Sequence, residues 1–210
     1  GGSGDDKLTG DGFANVLDGG LGDDILSGAG GADTIDGGAG RDTALFTDEI
    51  NAVVVTLNGA TAATVTIGGN ASDTLRNVEN VTGGSAGDIL TGDTLDNTLD
   101  GGSGDDTLVG AGGNDTLIGR LGKDLLDGGA GIDTASYAEK LLSVSVVLNG
   151  ANDAKVRVGD VDEDTLRNIE NVIGGLANDI LTGDGQANSL AGGGGNDLLT
   201  GGAGIDFLDG

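Results

Sequence analysis

The chain has 210 residues, of which 46 are Gly and 35 are Asp or Glu against nine Lys and Arg, a formal charge of −26 with no His, Cys, Pro, Met or Trp. Disulfide bracing and imidazole chemistry are therefore absent, and a surface of this sign repels phosphate, which argues against a nucleic-acid partner. No apolar run reaches the length of a membrane span and no basic segment followed by an apolar stretch opens the chain, so any export signal is expected elsewhere and the natural partners are cations.

A nine-residue cycle begins at once. GGSGDDKLT at Gly1–Thr9 and GGSGDDTLV at Gly101–Val109 are its clearest copies, and fifteen copies fit without overlap: five over residues 1–45, six over 83–136 and four over 174–209. The first position is always Gly, and the eighth is Leu in twelve copies, Ile35 in one, and Ala44 and Ala135 in two. Gly at positions one, two and four permits a turn with positive φ, so the first six residues read as a turn and the last three as a short strand. Alternation along that strand turns position eight inward and positions seven and nine outward, the pattern of a solenoid with a single apolar ladder on each side.

The blocks are interrupted by two segments, 46–82 and 137–173, which are copies of each other at an offset of 91 residues: DTLRNVENV from Asp73 returns as DTLRNIENV from Asp164. Each has two alternating stretches, Val53, Val55, Leu57 and Val65, Ile67 in the first, Val144, Val146, Leu148 and Val156, Val158 in the second. Asn58-Gly59 and Asn149-Gly150 between them favour a hairpin turn. The stretch from Gly68 falls back into nonamer phase with Asp73 in sixth place, so elongated, metal-poor coils stacked on the solenoid are expected ahead of a projecting hairpin. The resulting organisation is block 1–45, insert 46–82, block 83–136, insert 137–173 and block 174–210, read as one continuous solenoid. The chain opens at a unit boundary and stops one residue into a nonamer, as a slice of a longer array would.

The sixth position carries the chemistry. It is Asp6, Asp24, Asp33, Asp42, Asp88, Asp106, Asp115, Asp124, Asp133, Asp179, Asp197 and Asp206, with Asn15, Asn97 and Asn188 in the other three copies. A lone Asp after Gly is an ordinary turn residue, but equivalent turns stacked about 4.8 Å apart would file these carboxylates at close quarters, and such a column needs cations between its rungs. Ca²⁺ takes six to eight hard oxygen ligands, and glycine turns leave carbonyls free to converge on it. The three Asn turns, where Phe13, Leu95 or Gln186 replaces the fourth-position Gly, are expected to bind weakly or not at all.

On these residues the chain resembles the RTX, or haemolysin-type, calcium-binding repeat family. The resemblance implies an all-β, right-handed parallel β-roll in which copies i and i+2 stack, with the two duplicated 37-residue β-rich inserts carried along. It also implies multiple calcium ions between stacked turns, held by position-six carboxylates and turn carbonyls. Carried over by position, the pairs are Asp6 with Asp24, Asp24 with Asp42, Asp88 with Asp106, Asp106 with Asp124, Asp115 with Asp133, and Asp179 with Asp197. Asn15 with Asp33, Asn97 with Asp115 and Asn188 with Asp206 are weaker. Nine such ions would bring eighteen positive charges to a chain of −26, so folding is expected to be coupled to binding.

The family further implies a secreted, extracellular or cell-surface protein exported by type I secretion machinery and folding outside, where calcium reaches the roughly 10⁻⁴ to 10⁻³ M that loose extracellular sites need. A scaffold or spacer is the expected role. The alternatives are a C-terminal module of a secreted protease, lipase, polysaccharide-modifying enzyme or toxin whose catalysis lies elsewhere, and an adhesin stalk. The segment itself is not expected to be an enzyme: every position-six Asp is accounted for by its turn, and Glu79 and Glu170, the best outliers, fit capping or ladder bonding in the inserts. Ice binding is disfavoured, because position three runs Ser3, Gly12, Leu21, Gly30, Ala39 with no repeated hydroxyl.

Overall fold

A computed structural model describes residues 1–210, apart from the side chain of Ala71. Each nonamer contributes one short strand, and consecutive nonamers supply opposite sheets, one of ten strands and one of thirteen. Within a block all pairing is parallel at a step of two nonamers: Leu8 lies opposite Leu26, Leu90 opposite Leu108, and Leu99 opposite Leu117. No helix is present among the described residues. This is the β-roll that the period dictates, since a turn of six residues and a strand of three bring the chain back over itself after eighteen.

Position eight faces inward along the stacked coils, and only Leu208 in the final nonamer is exposed. Leu26, Ile35, Leu90, Leu99, Leu108, Leu117, Leu126, Leu181 and Leu190 are fully buried and stack as two ladders between the sheets, while Leu8, Leu17 and Leu199 in the end coils are only partly covered. The inserts add the aromatic rings of the core, Phe46 and Tyr137, and the valines of their alternating stretches.

The inserts depart from the stacked coils expected of them. From Thr43–Leu45 in the narrower sheet the chain runs forward to Val53–Thr56 in the wider one, where it pairs in parallel with Ile89–Thr91 of the following block. It then doubles back: Ala63–Ile67 is antiparallel to Val53–Thr56, and Asn70–Arg76 is antiparallel to Ala63–Ile67 and parallel to Thr34–Ala39 of the preceding block. Asn80–Thr82 finally returns to the narrower sheet between Thr43–Leu45 and Thr98–Asp100. The second insert repeats this path with Val144–Val147, Ala154–Val158, Val161–Arg167 and Asn171–Ile173. The hairpin is thus real but lies in the plane of the sheet. The nonamer phase of Asp73-Thr74-Leu75-Arg76 holds, with Thr74 opposite Thr34 and Leu75 opposite Ile35.

Candidate metal-binding turns

Stacking puts the position-six side chains into two files, each joined by a repeated hydrogen bond in which the backbone N–H of one rung donates to Oδ1 of the next. Asp6 N–H donates to Asp24 (2.7 Å), Asp24 to Asp42 (2.8 Å), Asp88 to Asp106 (2.7 Å), Asp106 to Asp124 (2.8 Å), Asp115 to Asp133 (2.8 Å) and Asp179 to Asp197 (2.8 Å). Asn15, Asn97 and Asn188 donate in the same way to Asp33, Asp115 and Asp206. All twelve sequence-derived aspartates therefore stand in the files, and the pairs are those carried over by position.

The second oxygen separates two kinds of rung. In the turns that open a block, Oδ2 of Asp6, Asp88 and Asp179 and the amide oxygen of Asn15, Asn97 and Asn188 accept the position-two N–H of their own turn, from Gly2, Gly84, Gly175, Asp11, Asp93 and Asp184. In the turns stacked on them, Oδ2 of Asp24, Asp33, Asp42, Asp106, Asp115, Asp124, Asp133 and Asp197 is buried and accepts nothing. A buried charged oxygen without a partner costs several kcal/mol at least, and eight in register are a systematic demand for something positive.

The glycines show where that demand is focused. A Cβ on Gly110 would fall on Asp115 Oδ2 and on the Gly128 carbonyl of the next coil, and Gly19 is placed likewise against Asp24 Oδ2 and Gly37 O. At these two turns position one must be Gly because a carboxylate oxygen and a stacked carbonyl oxygen crowd the space a Cβ would need. Position four is Gly for another reason. A Cβ on Gly113 would lie 2.5 Å from both C and O of Leu95 in the coil below, whereas Gly4, with no coil below it, meets nothing within 4 Å. Phe13, Ala86, Leu95, Ala177 and Gln186 all stand at position four of block-opening turns, where a side chain has room.

Electrostatics point the same way. The Asp106 carboxyl is pushed up to about 7 and that of Asp115 to about 6, burial being the largest cause and neighbouring carboxylates adding to it. Burial also raises Asp42, Asp88 and Asp133. Without a cation the Asp106 carboxyl holds its proton up to about neutrality, chiefly because it is buried; a divalent ion between rungs would favour the ionised form. Hard carboxylate and carbonyl oxygens are the donor set that suits calcium. No group of three or more Asp, Glu, His or Cys side chains converges among the described residues, so any ion is held by rung carboxylates together with backbone oxygens.

Four file members lie outside the nonamers. Asp73 and Asp164 accept the N–H of Asp33 (3.0 Å) and Asp124 (2.9 Å), as their nonamer phase suggests. Glu79 and Glu170 accept the N–H of Asp42 (2.9 Å) and Asp133 (3.0 Å) through Oε2, the ladder bonding expected of them. The readable signal was their place one residue before the strands Asn80–Thr82 and Asn171–Ile173, where a nonamer puts its Asp.

A family model described as RTX calcium-binding nonapeptide repeat matches residues 1–35, 9–44, 82–117, 100–135 and 173–208, together more than half of the chain. The matches reach every nonamer block and leave most of both inserts uncovered. No curated protein matches the chain.

Proposed function

Because the chain belongs to the RTX calcium-binding nonapeptide repeat family, whose repeats bind Ca²⁺ and are typical of secreted bacterial proteins, we propose that it is a calcium-actuated folding module. Where calcium is scarce, the carboxylate files repel and the chain stays extended enough to be exported; where calcium is plentiful, ions between rungs convert it into a stiff roll. In this reading the ions lie between Asp6 and Asp24, Asp24 and Asp42, Asp88 and Asp106, Asp106 and Asp124, Asp115 and Asp133, and Asp179 and Asp197. Asp33 and Asp206 are paired with the neutral Asn15 and Asn188 and hold calcium less tightly. Export through type I secretion machinery and a cell-surface or extracellular site of action follow from the same switch.

The repeat is a structural calcium-binding unit, and its position-six carboxylates are all engaged in the files, so the role is mechanical: a spacer in an adhesin stalk, or a folding scaffold attached to a secreted enzyme or toxin. The observation that carries the reading is the register of eight buried, partnerless Oδ2 atoms. Circular dichroism of the chain during calcium titration from a chelated state tests it. Strand signal should rise cooperatively in the range from roughly 10⁻⁴ to 10⁻³ M. Full strand signal in excess chelator, or saturation at submicromolar calcium, would overturn the switch.

A further inference from the structure

Two rungs close on a glutamate instead of an aspartate. Asp42 is fully buried; its Oδ1 accepts the Asp24 N–H, and its own N–H donates to Glu79 Oε2. Asp133 stands in the same way between Asp115 and Glu170. At both rungs the Asp Oδ2 is buried and accepts nothing. The stacked turn is supplied here by the insert: Arg76-Asn77-Val78 in the first and Arg167-Asn168-Ile169 in the second, with Asn77 and Asn168 both at φ 49°. Glu79 and Glu170 lie outside the residues that the family model matches.

That turn delivers a carbonyl to the unpartnered oxygen. A Cβ on Gly37 would fall on Asn77 O and Asp42 Oδ2, and one on Gly128 on Asn168 O and Asp133 Oδ2. Between two nonamers the same place holds the position-one carbonyl, since a Cβ on Gly19 would fall on Gly37 O and Asp24 Oδ2, and one on Gly110 on Gly128 O and Asp115 Oδ2. The left-handed Asn therefore turns its carbonyl to where a Gly carbonyl stands elsewhere in the file. Among the described residues no backbone N–H donates to Asn168 O. On the far side of each glutamate the main-chain oxygen is already satisfied: the side-chain amides of Asn97 and Asn188 donate to the Glu79 and Glu170 carbonyls, each at 2.9 Å.

We propose that Asp42 with Glu79, and Asp133 with Glu170, hold one calcium ion each, in two sites assembled half from a nonamer and half from an insert. The Asp Oδ2, the Asn carbonyl and the Glu carboxylate are hard oxygen donors, and the two carboxylates supply the charge that a divalent ion needs. The file that runs from Asp6 to Asp206 along the narrower sheet then carries metal into both inserts. Each insert is fastened to the block before it by an ion as well as by its strands. The inference rests on the calcium reading of the files.

Two measurements on the full chain test it. The double variant Glu79→Gln, Glu170→Gln keeps an oxygen for the Asp42 and Asp133 N–H groups and removes the charge. Calorimetric titration should find two ions fewer than in the unmodified chain, or two bound about tenfold or more weakly. Glu139→Gln, at an exposed glutamate of the second insert, should leave count and affinity unchanged. No change in the double variant, or an equal loss in Glu139→Gln, would overturn the proposal. If the double variant does not fold in saturating calcium, anomalous difference density in crystals of the unmodified, calcium-loaded chain decides alone. Ions are expected about 2.3–2.6 Å from Asp42 Oδ2 and Asn77 O, and from Asp133 Oδ2 and Asn168 O; ions at the nonamer rungs with none at these two would overturn it. An unmodified chain that takes up no calcium would instead refute the function proposed above, and this inference with it.

Discussion

Oδ1 of Asp106 accepts the N–H of Asp88 at 2.7 Å, while Oδ2 of the same carboxylate is buried with nothing to accept. One oxygen holds the coils in register and the other is left for a cation, so the two roles can be separated. Asp106→Asn keeps an oxygen for the Asp88 amide and removes the charge. Ligand charge count sets calcium affinity, and the variant should fold in saturating calcium with the affinity of that rung reduced roughly tenfold, about 1.4 kcal/mol. Calorimetric titration reads this directly; unchanged affinity would place the ion elsewhere.

Acidity should mimic the metal. With Asp106 near 7 and Asp115 near 6 in the folded chain, against an ordinary 3.8, the folded state binds protons that the unfolded chain has already released. Stability of the metal-free chain is therefore greatest below about pH 4 and falls as pH rises through the interval up to about 7. Metal-free protein should show more strand signal at pH 5 than at pH 7.5, and calcium, competing with those protons, should bind more weakly at the lower pH. A flat dichroism profile between these values would contradict the assignment.

The steric reading of position four separates two glycines of the same motif. Gly113, at φ 109° and over Leu95, has no room for a methyl, and Gly4 has open space. Gly113→Ala should destabilise the calcium-loaded roll by about 1–3 kcal/mol, and Gly4→Ala should stay within about 0.5 kcal/mol. Thermal denaturation in fixed calcium distinguishes them, and equal effects would refute the stacking argument.

Ala111 marks a correctable strain. It has φ 75°, at the position-two site where Gly20, Gly38 and Gly102 also have positive φ. A left-handed Cβ costs about 1–2 kcal/mol, so Ala111→Gly should raise the melting temperature in saturating calcium; a lowered one would show that the methyl contributes packing.

The ladders and the files were legible in the sequence because each depends on a local rule. Position eight is inward whenever a three-residue strand follows the turn, so Leu117 and its neighbours could be placed from the period alone, and the stacking of Asp115 on Asp133 follows from eighteen residues per coil. The inserts were not legible to the same degree, for a non-local reason. Alternation in Val53, Val55 and Leu57 announces a strand, but its partner is Ile89–Thr91, beyond three further strands of the insert, and nothing in a period of two says that the chain runs ahead before folding back. Glu79 was obscured differently: the turn before it, Arg76-Asn77-Val78, lacks the nonamer glycines and uses Asn77 at φ 49° instead.

The wider sheet has three rows in each insert where the narrower one has a single row. At about 4.8 Å per row, the two extra rows would make one face of the roll roughly 10 Å longer than the other at every insert if both faces stayed evenly spaced. An array of such units would then bend towards its shorter face, and its span would depend on how often the inserts recur as well as on how many nonamers it contains.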